Sequence, residues 1–208
     1  MFETIIHRYH EWESVRRERK IDKSTAKAAK LSEDEEHDVF YLHKKGFVRA
    51  KATGQSITDI HAEVESLIRK KLRVVIKPGT YFVASGGHQN MVTKSKYVFT
   101  LHPLDTENVK VSAACINASL PIPETTDRFY GVKKVSTNLA RFLEASTHED
   151  PMTVQAGVWA LTDNYSGQQV KEHLVSMDQY GNAHQVVSDY NIEQARRILN
   201  KLKIRHRL

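Results

Sequence analysis

The chain has 208 residues, of which 40% are hydrophobic and 27% are charged, with nine glycines and five prolines. This composition is typical of a folded globular protein and excludes a fibrous or largely disordered chain. The formal net charge of +6 favours acidic partners, and the single cysteine, Cys115, excludes an internal disulfide and a zinc site built from cysteines.

The first residues predict a helical N-terminal extension, which we place at residues 1–45. Apolar residues recur at the helical spacing of three and four, at Ile5, Ile6, Tyr9, Trp12 and Val15. The helical pattern is expected to run from residue 2 to about residue 38. The charge run at 32–38 predicts the start of a second helix, with Ser32 as its N-cap and Glu35 completing a capping box.

The sequence carries no visible targeting or membrane signal. The N-terminal residues lack the apolar stretch of a signal peptide, and no apolar run approaches membrane-spanning length. We therefore expect no membrane span and a cytoplasmic location, or a surface or secreted location if a leader precedes this sequence.

From Phe47 the hydrophobic period changes to two, which predicts strands. Residues 60–64 and 72–76 alternate on either side of a basic cluster and predict a hairpin. Pro78-Gly79 predicts a turn, and the further strands are expected at 80–85, 96–104 and 108–118. Four or more antiparallel strands with short loops predict a β-sandwich or a small barrel, and we take the sandwich.

Helical patterns return after the strands. They cover residues 135–146, a segment that starts at Asp150 as N-cap with Pro151 in the first turn, residues 166–177, and a final helix from about Asn191. The predicted fold class is therefore α+β, an antiparallel β-sandwich core with packed helices and helical N- and C-terminal extensions. The core domain is expected at 46–165 and the C-terminal helical segment at 166–208.

Gln155 is a polar residue on the apolar helix that follows Pro151. A buried amide without partners costs a few kcal/mol, so Gln155 is expected to meet something polar or reactive from the sheet. Trp159 lies one turn further along the same helix. Cys115 lies in phase with the core-facing residues of its strand, which is typical of an inert buried thiol, but Asn117 and a proline-flanked loop follow at once.

The sequence from Gln155 to Trp159 (Gln-Ala-Gly-Val-Trp), followed by Thr162-Asp163 and preceded 40 residues upstream by Cys115, resembles the internal-thioester domains of Gram-positive surface proteins. The resemblance covers about residues 72–165. In that family a strand cysteine joins covalently to the glutamine of a helical Gln-x-Ala-Ile/Val-Trp motif. Gly157 stands where the family usually has Ala, and keeps the helix surface small enough for a strand to approach.

The resemblance implies an autocatalytic reaction without a cofactor. The Cys115 thiolate would attack the Gln155 carboxamide, expel ammonia and leave a thioester, which an amine on a protein or small-molecule partner would convert to an amide. Trp159 would shield the bond from water. The loop at 85–92 is either a polar turn or a support for this chemistry, in which His88, Gln89 or Asn90 lies beside Cys115. Asn117, at the end of the cysteine strand, is a further supporting residue.

Two readings of the histidines compete with this one. A Cys-His hydrolase would use Cys115 with His88 or His102, but the usual cysteine at a helix N-terminus is missing. His7 and His10 lie three residues apart, and without a third ligand we expect surface histidines and no metal site.

The alternative from another class is a non-covalent interaction or structural module with a reduced cysteine. It would use its basic termini to bind a protein partner or nucleic acid. Residues 16–30 have a basic excess, and the chain after Glu193 contains six Lys or Arg residues and no acid.

Overall fold

The computed structural model describes residues 2–54 and 56–208, with the side chains of residues 2–10 and 177 left aside. In chain order the elements are α1 (Phe2–Lys27), β1 (Glu36–Asp38), α2 (Val39–Lys45), β2 (Val48–Gly54), β3 (Asp59–Ser66), β4 (Leu72–Ile76), β5 (Thr80–Ala84), β6 (Asn90–Thr93), β7 (Tyr97–Leu101), β8 (Thr106–Ile116), β9 (Arg128–Lys134), α3 (Thr137–Ala145), α4 (Pro151–Thr162), α5 (Gly167–His173), β10 (Val175–Met177), β11 (Ala183–Gln185) and α6 (Asp189–Lys201).

Six strands close into a barrel in the order β2-β3-β8-β6-β5-β9, and every neighbouring pair is antiparallel. The ring is closed by β2 and β9, which pair Ala52 with Phe129. Alternate residues point inward and fill the interior, as in other small barrels. This interior cluster includes Ala52, Ala62, Val64, Phe82, Met91, Val111, Cys115 and Phe129.

A separate three-stranded sheet has the order β1-β4-β7, with β1 parallel to β4. The predicted hairpin between residues 60–64 and 72–76 is therefore wrong, because β3 pairs with β2 and β8 and β4 pairs with β1 and β7. Four of the five residues of β4 are buried, as in the middle strand of a sheet, and such a run carries no information about its partner. The α+β class is confirmed. The sandwich is not, since the strands form a barrel and a small sheet.

The second helix begins later than the sequence pattern predicts. Ser32 does not cap a helix, and its Oγ instead accepts a hydrogen bond from the Asp34 N–H at 3.2 Å. Residues 36–38 pair with β4, so the chain is extended there. Asp38 then caps α2 by accepting the Phe40 N–H at 2.9 Å.

Helices α3, α4 and α6 cover one side of the barrel and enclose a second apolar cluster. The barrel contributes Val92, Ala114 and Ile116, and the helices contribute residues such as Val154, Val158, Phe142, Ile192 and Leu199. The helix predicted at 166–177 ends at His173, and the chain continues into the hairpin of β10 and β11. Within residues 2–54 and 56–208, no helix is both long and apolar enough to cross a membrane.

Candidate functional site

Strand β8 loses one of its neighbours close to Cys115. Its pairing with β3 reaches Ser112, which is opposite Asp59, and Ala113 N–H then donates to the Thr58 carbonyl at 2.7 Å. On its other side β8 pairs with β6 as far as Ile116. The backbone of Cys115 therefore needs a partner that β3 does not supply, since buried backbone N–H and C=O groups are almost always hydrogen-bonded.

Gln155 supplies that partner with both ends of its amide. The Cys115 N–H donates to Gln155 Oε1 at 2.9 Å, and Gln155 Nε2 donates to the Cys115 carbonyl at 2.8 Å. Gln155 is 1% exposed, so these bonds form away from water. The prediction that this buried amide meets a polar group of the sheet is confirmed. The polar groups are the backbone N–H and C=O of Cys115, and the side chain pairs with them as a neighbouring strand would.

The start of α4 is held in place by side-chain hydrogen bonds. Asp150 is the N-cap, as predicted, and its Oδ1 accepts the Met152 N–H at 2.8 Å. Asn191 at the start of α6 donates from Nδ2 to Asp150 Oδ1 and to Thr153 Oγ1, both at 3.1 Å. These bonds place the first turn of α4, and Gln155 with it, against β8.

Gly157 allows the close packing of α4 on α3. A Cβ atom at this position would lie 2.0 Å from Cζ of Phe142, whose ring is fully buried. The small residue is therefore required by an aromatic ring of the neighbouring helix. The sequence motif had suggested the approach of a strand instead.

The Cys115 thiol lies inside the barrel. Its Sγ is 3.3 Å from Met91 Sδ and 3.8 Å from the Ile57 carbonyl oxygen. Burial raises the pKa of the Cys115 thiol to about 12, because the thiolate would lose its hydration. The thiol is therefore protonated at neutral pH. Its sulfur contacts Met91 and Ile57, whereas the two polar atoms of Gln155 bond the backbone of Cys115.

The predicted supporting residues Asn90 and Asn117 do come together. Asn90 Nδ2 donates to Asn117 Oδ1 at 2.8 Å, and Asn90 Oδ1 accepts the Ala84 N–H at 2.8 Å. Asn117 has a φ of 72°, a left-handed conformation that asparagine tolerates better than most residues. This pair fastens the β5–β6 turn to the end of β8.

Gln89 and His88 are directed to the loop that follows β8. Gln89 Nε2 donates to the Leu120 carbonyl at 2.8 Å, and His88 Nδ1 lies 3.0 Å from Asp127 Oδ1. Both side chains are thus engaged with residues 118–127, whereas the thiol contacts are made by Met91 and Ile57. His102 is exposed beyond the end of β7. Neither histidine is in position as a base for Cys115, so the geometry gives no support to a Cys-His hydrolase.

Trp159 is buried in the helical cluster. It packs edge-on against Tyr165, with ring centroids 6.1 Å apart. The cluster that contains Trp159 lies outside the barrel, whereas the Cys115 thiol belongs to the interior cluster. The geometry therefore gives Trp159 a packing role. The side chains of His7 and His10 lie outside the described residues.

The C-terminal residues form a surface that we call the C-terminal basic surface. It consists of Arg196, Arg197, Lys201, Lys203, Arg205 and Arg207, of which all but Arg196 are exposed. Glu193 pairs with Arg196 and Arg197. Within the described part of the chain, Lys201, Lys203 and Arg205 have no ion pair. A shallow cleft of about 300 Å³ borders this surface and is lined by Ala160, Leu161, Asn164, Arg205, His206 and Arg207.

The C-terminal basic surface is anchored to the helices below it. Ile204 is buried, Arg141 of α3 donates to the Leu202 carbonyl at 3.1 Å, and Arg207 donates to the Asn164 carbonyl at 3.2 Å. Burial and the positive charge of Arg196 both lower the pKa of His206. The tail is therefore held in one conformation, with its cations on the outer side.

The basic part of α1 is arranged differently. Arg69 pairs with Glu18 and Asp22 of this helix, and a cleft of about 780 Å³ between α1 and the barrel is lined by charges of both signs. The lining includes Arg17, Lys20 and Arg49 together with Glu13, Glu18 and Glu65. Of the two predicted basic ends, the C-terminal one has the more uniform charge.

Comparison of the chain with protein-family models, with curated proteins and with solved structures gives no match.

Proposed function

We propose that the protein is a non-covalent binding module that binds single-stranded nucleic acid through its C-terminal basic surface. The observation that carries the proposal is a group of six Lys and Arg side chains with one acid among them, on α6 and on the tail that follows it, which is hydrogen-bonded to Arg141 of α3 and to Asn164 just after α4. Neutralising phosphates with such side chains releases counterions, and this supplies most of the affinity in sequence-independent binding.

The shape of the tail favours an extended polyanion. After Lys203 the chain buries Ile204 and exposes Arg205 and Arg207, and Arg207 forms an isolated β-bridge with Ser166. Side chains two residues apart on an extended chain are separated by about 7 Å. Because the buried contacts hold the backbone, the cations lose little conformational freedom when a strand of phosphates binds.

An exposed aromatic ring adds the second element of single-strand recognition. Tyr190 is 66% exposed and lies on α6 seven residues before Arg197 and eleven before Lys201, so the three share one side of the helix. Base stacking on such a ring, next to cations that follow the backbone, is the usual basis of binding to single strands. This arrangement favours unpaired nucleic acid over an acidic protein as the partner.

Covalent capture of amines through a Cys115–Gln155 thioester is the second candidate. In its favour, the Gln155 carboxamide lies directly on the backbone of Cys115. It has weaker support because both polar atoms of the amide are hydrogen-bonded and the thiol pKa is raised to about 12. The contacts of the thiol among the described residues, with Met91 and Ile57, include no base. An intact mass separates this candidate from the first, since a thioester lacks one ammonia.

The binding proposal is tested by fluorescence anisotropy with a labelled single-stranded RNA and the same sequence as a duplex, over a series of salt concentrations. We expect affinity for the single strand to fall steeply with salt, and the triple variant Lys203→Glu, Arg205→Glu, Arg207→Glu to lose binding at least about tenfold. Lys44→Glu with Lys71→Glu is the control, because both lysines are exposed and lie away from the tail.

The role of Tyr190 is tested separately. Tyr190→Ala should weaken binding of the single strand, by about 1 to 3 kcal/mol if one base stacks on the ring, and leave the salt slope unchanged. If the control variant and the triple variant bind the single-stranded RNA equally tightly, the proposal is contradicted. Equal affinity for polyglutamate and RNA points instead to an acidic protein partner.

A further inference from the structure

The cleft beside the C-terminal basic surface, which we call the C-terminal cleft, lies between the end of α4 and the tail. Its volume of about 300 Å³ is at the lower end of the range of pockets that hold small molecules. The lining is of two kinds. Ala160 and Leu161 of α4 are apolar, whereas Arg205 and Arg207 of the tail are cationic and exposed.

Hydrogen bonds hold the two sides of the C-terminal cleft together. Arg207 Nη1 donates to the Asn164 carbonyl at 3.2 Å, and Arg207 also forms an isolated β-bridge with Ser166. Asn164 has a φ of 55°, a left-handed conformation in which the chain turns after α4. Ile204 is buried between the basic residues of the tail. The cleft therefore exists without a ligand, and binding does not have to order its walls.

His206, which also lines the cleft, is held as a neutral ring. The Leu208 N–H donates to His206 Nδ1 at 3.1 Å, so this nitrogen is an acceptor. The proton is then on Nε2, which lies 3.1 Å from Asn200 Oδ1 and donates to it. Burial and the charge of Arg196 lower the pKa of His206, in agreement with a neutral ring. The positive charge of the cleft therefore comes from its two arginines.

None of the described residues that line the cleft is acidic. Asp163 precedes Asn164 in the chain, but its Oδ1 accepts the Ala118 N–H at 3.0 Å, beyond the end of β8. The end of α4 carries the partial negative charge of the helix dipole, and Arg207 offsets it by bonding the Asn164 carbonyl. Arg205 has no ion pair among the described residues. The cleft therefore favours an anionic ligand.

We propose that the C-terminal cleft is a nucleotide-binding site, with the base against Ala160 and Leu161 and the phosphate at Arg205 and Arg207. An apolar surface beside two guanidinium groups fits a ligand that joins a flat ring to an oxyanion, and arginine is well suited to phosphate. The inference deepens the proposed function and rests on it for the source of the nucleotide, which is one unit of the bound strand.

The cleft and Tyr190 would bind different nucleotides of one strand. Tyr190 lies in the first turn of α6, and Lys201 ends this helix eleven residues later, which is a rise of about 16 Å. The tail that lines the cleft begins only after Lys201. A strand that follows the basic side chains of α6 therefore meets the exposed ring at one end and the cleft at the other.

The first test uses the wild-type chain and three small probes, adenosine monophosphate, adenosine and ribose 5-phosphate, in calorimetric titrations at low salt. We expect the monophosphate to bind at least about tenfold more tightly than either of the others, because each of them lacks one of the two groups that the cleft holds. Equal affinity for adenosine monophosphate and ribose 5-phosphate would mean that the cleft responds to charge alone, and would overturn the inference.

The second test changes the apolar lining and leaves the charges in place. Leu161→Trp fills the cleft, and Leu161→Ser removes its apolar side chain; circular dichroism reports whether each variant is folded. Both should lose binding of adenosine monophosphate at least about tenfold. Both should also weaken binding of the labelled single-stranded RNA, by at least about fivefold, with an unchanged salt slope. Val98→Trp, at an exposed position on β7 of the small sheet, is the matched control and should change neither affinity.

The outcomes separate this inference from the proposed function. If the RNA binds with a steep salt dependence that the triple tail variant loses, while both Leu161 variants bind it as wild type does, the cleft inference is wrong and the proposed function stands. If the monophosphate binds and both Leu161 variants lose it, but the RNA does not bind, the cleft is a site for a free nucleotide and the proposed function is wrong.

Discussion

The side-chain amide of Gln155 and the backbone peptide groups of Cys115 exchange two hydrogen bonds, of 2.9 Å and 2.8 Å, one in each direction. They do so where β3 ceases to pair with β8. The pair therefore joins the barrel to the helical layer through a polar contact between two largely apolar clusters. A leucine at residue 155 would leave both Cys115 groups without partners, which explains why this apolar helix carries a glutamine.

Replacing Gln155 with leucine is expected to destabilise the protein. The change leaves a buried N–H and a buried C=O of Cys115 unsatisfied, and each such group costs about 1 to 3 kcal/mol. We expect the free energy of unfolding to fall by about 2 to 4 kcal/mol in urea denaturation, with little change in the m-value.

Gln168→Leu is the matched control for this change, because Gln168 is exposed and its side chain bonds the exposed Glu172 carboxylate. It should change the free energy of unfolding by less than about 0.5 kcal/mol. Equal effects of the two substitutions would contradict the bridging role of Gln155. Gln155→Glu should be more stable at acidic than at neutral pH, since only the protonated carboxyl can donate to the Cys115 carbonyl.

The intact mass of freshly purified protein is expected to equal the mass calculated from the sequence. The reason is that the thiol is buried beside Met91 and protonated, while the Gln155 amide is held by the backbone of Cys115. Electrospray mass spectrometry checks this directly. A mass lower by one ammonia, absent in Cys115→Ala and replaced by an adduct with methylamine, would establish the thioester instead.

The burial of Cys115 predicts a loss of stability in alkali. The folded-state pKa of about 12 exceeds the ordinary value of 9.0, so above pH 9.0 the unfolded chain releases a proton that the folded chain retains. The contribution to stability is complete below 9.0 and is lost as pH rises toward 12. At about pH 10, which is one unit above the ordinary pKa of the thiol, the loss in the free energy of unfolding is about 1.4 kcal/mol.

Cys115→Ala provides the control for this pH dependence. It should lower stability at neutral pH by about 1 kcal/mol, through lost packing, but flatten the fall between pH 9.0 and 12. If the free energies of unfolding of the two proteins fall in parallel between pH 9.0 and 12, the thiol does not titrate as its burial requires.

Local features of the fold could be read from the sequence, and long-range ones could not. The cap at Asp150 and the inward phase of Cys115 depend on neighbouring residues, and both predictions are confirmed. Barrel closure depends on β2 pairing with β9, where Ala52 meets Phe129, and alternation within a strand says nothing about its partner. That is why a sandwich was the expectation.

The candidate site divides in the same way. The need of Gln155 for a polar partner follows from the cost of burying an amide, but the partner itself depends on where β3 ends. Lys94, which is 8% exposed, gave no signal, because in the sequence it looks like any strand-end lysine. Asn90 and Asn117, which the sequence predicts as supporting residues of the site, fasten the β5–β6 turn to the end of β8.

Gly157→Ala is expected to destabilise the contact between α3 and α4. The added methyl group would overlap the ring of Phe142, and overpacking in a core costs about 1 to 3 kcal/mol even though alanine has the better helix propensity. The double variant with Phe142→Leu should recover part of this loss relative to the sum of the single changes. Strict additivity in thermal or urea unfolding would show that the ring is not what excludes a side chain at residue 157.

Lys94→Met is expected to raise the free energy of unfolding at neutral pH, by about 1 kcal/mol. The reason is that a lysine that is 8% exposed, and that has no ion pair among the described residues, is replaced by an apolar side chain of similar length. Burial lowers the pKa of Lys94, and the charges of Asp59 and Asp150 oppose this effect only in part. Since the folded-state pKa of Lys94 is lowered from 10.5, the unfolded chain binds the proton more tightly.

The stability contributed by this lysine therefore rises with pH between its folded-state pKa and 10.5, and the advantage of the methionine variant should shrink over that interval. Comparing the difference in unfolding free energy between Lys94→Met and wild type at neutral and alkaline pH isolates Lys94, because the titration of Cys115 is common to both proteins. Lys110→Met, made at an exposed site, should give a difference that does not change with pH in this way. If Lys94→Met is less stable than wild type at neutral pH, the amine has a favourable partner, and its lowered pKa is contradicted.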